Sequence, residues 1–147
     1  MNLSLLNTLI RKARTRVLAG VEGGHEKDIG VTAFATAYRI LNFNLGRAAG
    51  HTTYIRDKFV EGEDLAIIVR GSSPELERMA GVFTDFTAAL NYMRGKSGFR
   101  DIWIDEPINH LRNSKDVQQL QELIHMWRGR PKYPDGMMIL LGAHATR

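Results

Sequence analysis

The stretch that decides the fold is ILNFNLGRAAGHTT, residues 40–53. Its first part, Ile40–Leu45, alternates apolar residues with two asparagines, which is typical of a β-strand. Gly46 and Gly50 then bracket a turn, and a short helix is predicted from about Thr52 to Val60. This order predicts one strand–turn–helix unit of an α/β protein.

Helical spacing of apolar residues predicts that an N-terminal helix precedes this unit and ends at Gly20. Residues 21–30 are predicted to be a loop, and residues 32–38 fit either a short helix or a loop. This helical lead-in, residues 1–38, belongs to a single predicted domain, residues 1–147.

Strands and helices alternate after the unit. Strands are predicted at Leu65–Val69, Ile102–Ile104 and Met137–Leu141, one helix from Ser73 to Met93, and another that Ser114 caps, with Val117 on its apolar face. Such alternation predicts a three-layer α/β fold in which about four parallel strands have helices on both faces.

The composition excludes several classes of protein. With 147 residues, 44% of them hydrophobic, and no cysteine, the chain can bury a core but has no disulfide framework, zinc finger or thiol nucleophile. No two of its 5 histidines have the spacing of a helical zinc pair. No apolar stretch approaches the roughly 18–20 residues of a membrane helix, and the first apolar residues precede a basic cluster, unlike in a secretory signal. We therefore expect a soluble, cytoplasmic protein with no membrane partner.

The charge of the chain is uneven. Its net charge is +4, and no acidic residue precedes Glu22, whereas the N-terminal helix carries Arg11, Lys12, Arg14 and Arg16. The planar fork of arginine suits phosphate and carboxylate groups. A solvated helix face and a contact with nucleic acid or an acidic partner both explain this pattern, which leaves the two interpretations open.

The glycine turn is a candidate phosphate site. Glycines let backbone N–H groups converge on a phosphate, and the start of the next helix adds partial positive charge. Thr52 or Thr53 supplies a hydroxyl that could reach Mg²⁺. Because glycine-rich turns are common, the turn alone is more often structural than functional.

An acidic pair, Asp105 and Glu106, follows the predicted strand Ile102–Ile104. A carboxylate at the end of a buried strand can hold Mg²⁺, and a second one beside it can orient and deprotonate an attacking water. Since α/β proteins bind ligands at that edge of the sheet, the pair supports the phosphate interpretation of the turn.

Together these motifs resemble P-loop NTPases, in the branch that has a catalytic glutamate beside the Mg²⁺-binding aspartate and an additional strand between the two motif strands. The most similar pattern is that of phage large terminase ATPase domains, whose loop reads Arg-Gln-x-Gly-Lys-Thr-Thr. Residues 47–53 here read RAAGHTT, and residues 142–146 stand where that family keeps a small polar coupling motif. The resemblance spans Ile40 to Thr146.

The resemblance implies ATP and Mg²⁺ as ligands and a role for each matching residue. The residues implied to bind ATP are Gly46, Arg47, Ala48, Ala49, Gly50, His51, Thr52 and Thr53. Thr52 and Asp105 would ligate Mg²⁺, Glu106 would position water, Arg47 would reach the γ-phosphate, and His144 or Thr146 would sense it, with Arg147 a weaker candidate.

Two departures from the family modify these expectations. His51 stands where the family has lysine, which predicts weaker nucleotide binding, slower turnover or a site kept only for structure. Terminases also continue into a further strand and a nuclease domain, so packaging by this polypeptide alone is not expected. If the strand order follows the order that the resemblance implies, first–fourth–third–second, the strand at Ile40 needs the N-terminal segment or another chain, such as a second copy, to cover its edge.

The predicted function is a small ATP-binding protein with weak Mg²⁺-dependent ATPase activity, acting with double-stranded DNA or a DNA-handling partner; a phage origin fits the resemblance. The alternative is a catalytically feeble scaffold that serves as accessory or antagonist of a larger ATPase assembly. A nucleotide kinase is less favoured, since no Arg-rich lid follows the later helices. Arg128, Arg130 and Lys132 could bind DNA or supply an arginine in trans, but a solvated cluster is the default interpretation.

Overall fold

The computed structural model describes residues 3–44, 50–96, 98–129 and 132–142. These residues contain five strands: β1 Ile40–Phe43, β2 Leu65–Ile67, β3 Val82–Phe83, β4 Ile102–Asp105 and β5 Met138–Leu141. They form one sheet in the order β1-β5-β4-β2-β3, and every neighbouring pair is parallel. The predicted α/β class and parallel sheet are confirmed, and the four predicted strands lie in the order first–fourth–third–second. The two-residue β3 is an addition.

Helices connect and precede the strands. They are α1 Leu3–Glu22, α2 His25–Ile29, α3 Val31–Phe34, a π-helical turn Ala35–Arg39, α4 His51–Lys58, α5 Pro74–Glu77, α6 Phe86–Arg94, a 3₁₀ turn Pro107–Asn109 and α7 Ser114–Gly129. No helix among the described residues is both long and apolar enough to cross a membrane.

The strands bury apolar side chains on both faces of the sheet, because successive residues of a strand point to opposite sides. On one face Trp103 and Ile139 pack with α1 and α4, and on the other Ile104 and Leu140 pack with α6 and α7. All residues of β2, β4 and β5 are buried, whereas β1 is only partly buried and pairs with β5 alone among the described strands. That the N-terminal segment or another chain covers the outer edge of β1 remains a prediction.

The N-terminal helix does not end at Gly20, and the predicted loop at 21–30 is largely helical. α1 continues to Glu22 and α2 occupies His25–Ile29. Gly20 has a packing role instead, since a Cβ there would lie 2.7 Å from the ring of Phe34. The glycine lets α1 approach that ring closely, which helical periodicity cannot reveal.

The single helix predicted from Ser73 to Met93 is wrong. α5 ends at Glu77, β3 follows, and Asp85 then caps α6 by accepting a hydrogen bond of 2.8 Å from the N–H of Ala88. The segment between the two helices contains Gly81, whose φ of 90° is not helical and whose added Cβ would lie 2.8 Å from the carbonyl oxygen of Asp64. This close approach, which leads into β3 beside β2, overrides the helical spacing of the apolar residues.

The start of α7 also differs in detail from the prediction. Asn113 rather than Ser114 caps it, since the Asn113 side chain accepts a hydrogen bond of 3.0 Å from the N–H of Asp116. Val117, predicted on the buried face, is 47% exposed. Arg128, near the end of the helix, is buried with its guanidinium 4.9 Å from the Trp127 ring, so the solvated cluster predicted there does not include it.

Charged side chains are buried at the amino edge of the sheet, opposite the candidate site. Arg14 binds both carboxylate oxygens of Asp101 at 2.8 and 3.0 Å, and Asp101 also accepts the N–H of Met137. Asp64 accepts hydrogen bonds from the indole of Trp103 and from the N–H groups of Val60 and Asp101. Burial nevertheless raises the pKa of Asp64 to about 6, because it disfavours the charged carboxylate.

Candidate functional site

Three strands end together at the carboxyl edge of the sheet. In the sheet register Leu141 of β5 pairs with Phe43 of β1 on one side and with Asp105 of β4 on the other. The N–H of Gly142 donates to the carbonyl of Phe43 at 2.8 Å, and the N–H of Glu106 donates to that of Leu141 at 2.8 Å. Since the sheet is parallel, the residues that follow these strands emerge on the same side.

Thr52 and Asp105 meet at this edge although they are 53 positions apart in the chain. The Thr52 hydroxyl donates a hydrogen bond of 2.6 Å to Oδ2 of Asp105. Thr52 is the second residue of α4, and Gly50 turns the chain into this helix with a φ of 83°. Asp105 is fully buried, and its other oxygen, Oδ1, has no hydrogen-bond partner among the described residues.

His51 and Glu106 form a second pair beside the first. Nδ1 of His51 lies 3.5 Å from Oε1 of Glu106. His51 is only 6% exposed, and its Nε2 has no hydrogen-bond partner in the described part of the chain. The side chain of Glu106 is 35% exposed, so it borders solvent while His51 does not.

The backbone of Glu106 is unusual. Its φ of 52° makes it the only non-glycine residue with a positive φ in the described ranges. Such a left-handed conformation costs a residue with a Cβ about 1–2 kcal/mol. Backbone strain of this kind is found preferentially at functional sites.

Burial dominates the electrostatics of Asp105. Its pKa is raised, first because the carboxylate is removed from water and then because Glu106 is a nearby like charge. The hydrogen bond from Thr52 and the proximity of His51 act in the opposite direction. A buried carboxylate with an unpartnered oxygen is favoured in its charged form by a cation placed beside it.

His110 lies next to the site, although no sequence motif marks it as a site residue. Its ring lies beside the main-chain carbonyl of Asp105, and the residue is 7% exposed. Burial is the main reason why its pKa is lowered, so the ring is neutral near pH 7. The sequence signal was slight: a histidine five positions after Asp105 and three after Pro107, which begins the 3₁₀ turn.

The donor set at this edge fits Mg²⁺. Mg²⁺ keeps several waters and usually binds through one or two carboxylates together with substrate phosphates, so it needs no cage of protein ligands. Oδ1 of Asp105 and the hydroxyl of Thr52 are hard oxygen donors of the required kind. Among the described residues, no group of three or more histidine, aspartate or glutamate side chains is placed to hold a metal by itself.

The structure brings together four of the predicted site residues, His51, Thr52, Asp105 and Glu106, with Gly50 at the adjoining turn. Thr53 lies on the exposed side of α4. The remaining predicted site residues lie outside the described residues: Gly46, Arg47, Ala48, Ala49, His144, Thr146 and Arg147.

No protein-family model, no curated protein and no solved structure matches this chain. The function is therefore inferred from the geometry of the site and from the sequence motifs.

Proposed function

We propose that the chain binds a nucleoside triphosphate, ATP in the first instance, together with Mg²⁺ at the carboxyl edge of the sheet, and hydrolyses it slowly. The observation that carries the proposal is the 2.6 Å hydrogen bond between Thr52 and Asp105. P-loop NTPases hold Mg²⁺ with a Ser or Thr of the phosphate loop and an aspartate of a second motif. These two residue types meet here at the start of a helix and the end of a buried strand.

We also propose that the fold is a P-loop NTPase core. It is supported by the position of β5 between β1, which leads into the glycine turn, and β4, which ends at Asp105. An additional strand between the two motif strands is the arrangement expected of the branch with a catalytic glutamate. In the proposal residues 46–53 cradle the phosphates, Arg47 reaches the γ-phosphate, and His144 or Thr146 senses it.

Glu106 is the proposed base. A water that attacks the γ-phosphorus transfers its proton to this carboxylate, the bond from phosphorus to the β,γ-bridging oxygen breaks, and nucleoside diphosphate and phosphate result. Mg²⁺ would supply charge neutralisation for the β- and γ-oxygens when bound. The left-handed backbone of Glu106 and its partial exposure place the carboxylate where it borders both His51 and solvent.

His51 limits the proposed activity. Lysine at this position would be a permanent cation on a long stem, whereas the side chain of histidine is shorter and reaches less far toward a phosphate. Its Nδ1 lies 3.5 Å from Oε1 of Glu106, the proposed base. Weak affinity and slow turnover follow from this substitution.

The contact between His51 and Glu106 also supports a second candidate function. If the imidazole engages the carboxylate persistently, the site is structural and the chain is a P-loop-like scaffold that acts through a partner, for example as an accessory or antagonist of a DNA-handling ATPase. The two candidates differ in whether the phosphate site binds ligand.

The test is Mg²⁺-dependent ATP hydrolysis and equilibrium ATP binding by the purified protein. Thr52→Ala is expected to weaken Mg²⁺-dependent binding and abolish turnover, and Glu106→Gln to abolish turnover while ATP binding is kept or tightened. Thr36→Ala is the matched control, because this threonine is exposed and its hydroxyl donates to the carbonyl of Thr32, four residues earlier, at 3.0 Å.

Two outcomes would overturn the proposal. Wild-type protein that binds no ATP at millimolar concentration favours the scaffold. Turnover that survives Glu106→Gln excludes Glu106 as the base.

A further inference from the structure

A groove of about 410 Å³ lies between α1, α4 and the start of β4, and none of the residues that line it belongs to the proposed nucleotide site. Four cationic side chains line it: Arg11 and Arg14 from α1, Lys58 from α4, and Arg100 before β4. The chain thus places basic residues from three separate segments around one depression in the surface.

Two of these cations are held in place by carboxylates. Arg14 is bound to Asp101 at 2.8 Å, and Arg100 is bound to Asp135 at 2.8 Å. Side chains fixed in this way lose little conformational entropy when they bind a further ligand. Both arginines line the groove while they are bound to these carboxylates.

The other two cations are uncompensated. No carboxylate lies within ion-pair distance of Arg11 or Lys58 among the described residues. Both are exposed, and so are Lys12 and Arg16, which extend the same charge along α1. α1 has no acidic residue before Glu22 to offset them. The groove and the adjoining surface of α1 therefore attract a polyanion.

We propose that this groove binds the phosphate backbone of double-stranded nucleic acid, without sequence preference. Arginine and lysine suit phosphate, and a row of cations suits a regularly charged polymer. Single strands are less favoured, because proteins that bind them stack unpaired bases on exposed aromatic rings. The two aromatic rings at this groove, Tyr54 and Trp103, are 4% and 3% exposed and offer no such platform.

The interaction does not depend on ATP. It is therefore tested without nucleotide, so that its failure and the failure of the proposed ATPase activity are separate results. The measurement is fluorescence anisotropy of a labelled DNA duplex of about 20 base pairs, titrated with the full chain at several salt concentrations. Loss of one phosphate contact is expected to weaken binding about fivefold to tenfold at 0.1 M salt and to lower the slope of log K against log salt by about one.

Arg11→Ala and Lys58→Ala are the groove variants, and Lys27→Ala, an exposed lysine of α2 with no ion pair in the described residues, is the matched control. Each groove variant should show the weakening and the smaller slope, and the control should match the wild type. Equal loss in all three variants, or none in any, would overturn the assignment of the groove. Thermal unfolding checks that each variant is folded.

Two competitor ligands test the kind of partner. A single strand of the same length and an acidic polypeptide are each titrated against the bound duplex. Displacement by either at a lower concentration than by unlabelled duplex would overturn the assignment to double-stranded nucleic acid, in favour of a single strand or an acidic protein. Duplexes of different sequence should compete equally.

Discussion

Gly142 lies directly against the carboxylate of Glu106. A Cβ added at Gly142 would be 2.7 Å from the carboxyl carbon and from Oε1 of Glu106, closer than real Cβ atoms approach other atoms. Gly142 follows β5 and Glu106 follows β4, two strands that are paired in the sheet. The space that the proposed base occupies is therefore created by the absence of a side chain on the neighbouring strand end.

Gly142→Ala should displace the Glu106 carboxylate, because that carboxylate is the flexible end of a side chain and the strand ends are fixed. We expect ATP turnover to fall more than about tenfold, while ATP affinity changes less than about threefold. The free energy of unfolding should fall by about 1 kcal/mol, because φ at this position is 124°, which alanine rarely adopts. Steady-state kinetics and binding give the two values. Gly129→Ala, where an added Cβ meets nothing within 4 Å, is the control, and equal turnover in the two variants would contradict the prediction.

Glu106→Asn should yield a more stable protein than Glu106→Gln. Both substitutions remove the charge, but asparagine tolerates the left-handed backbone at φ 52° better than glutamine does. We expect the free energy of unfolding to be higher for the asparagine variant by roughly 0.5–1 kcal/mol, with both variants inactive. Urea denaturation measures the difference. Equal stabilities would show that the backbone at this residue is not strained.

His51→Lys should tighten ATP binding about tenfold, because lysine is a permanent cation on a longer stem and can donate a charged hydrogen bond to phosphate. Isothermal titration with Mg²⁺ present measures it. His125→Lys, the same change at an exposed position of α7, should have no effect. If the affinity is unchanged by His51→Lys, the glycine turn does not hold phosphate.

His110→Ala should weaken the dependence of ATP binding on Mg²⁺, since the main-chain carbonyl of Asp105 loses the buried ring beside it and the end of β4 relaxes. We expect a loss of stability of about 1–3 kcal/mol and a higher Mg²⁺ concentration at half-maximal ATP binding. His110→Asn, which keeps a donor, should restore part of the Mg²⁺ response. A variant that loses stability with an unaltered Mg²⁺ midpoint would assign His110 a role in folding alone.

Because of the buried carboxyl group of Asp64, the free energy of unfolding should fall as the pH rises. Its pKa is raised from 3.8 to about 6 in the folded protein, so between these values the native state holds a proton that the unfolded chain has released. As the pH rises through this window, the free energy of unfolding of the wild type should fall by up to about 3 kcal/mol more than that of Asp64→Asn. Above pH 7 the difference between the two proteins should stay constant. Denaturation of both proteins from pH 4 to 8 measures it, with the exposed Asp28→Asn as control. A difference that grows with pH would mean that the three N–H donors keep Asp64 charged.

Local patterns predicted much of the framework. Ile102–Ile104 and Met137–Leu141 were recognisable as buried strands because each is a short run of apolar residues, and the alternation of such runs with helices indicated a parallel sheet. The place of Asp105 and Glu106 at the ligand-binding edge of the sheet was predictable as well, because the carboxyl ends of parallel strands meet at one edge. Thr52 was predicted as the hydroxyl for the metal, and the structure pairs Thr52, rather than Thr53, with Asp105.

Other features could not be predicted locally because they depend on contacts between distant segments. Gly20 looked like the end of a helix but makes room for Phe34, and Gly81 breaks a run of helical spacing because it packs against the backbone of Asp64. His110 was indistinguishable from an ordinary loop histidine until the fold placed it beside the carbonyl of Asp105.

The sequence by itself determined the class of the fold and the residue types of the candidate site, because apolar periodicity and turn chemistry act over a few neighbouring residues. Only the tertiary structure decided the register that joins Leu141 to both Phe43 and Asp105, and the meeting of Thr52 with Asp105. These depend on how whole strands and helices pack, and packing energy is shared among residues far apart in the chain.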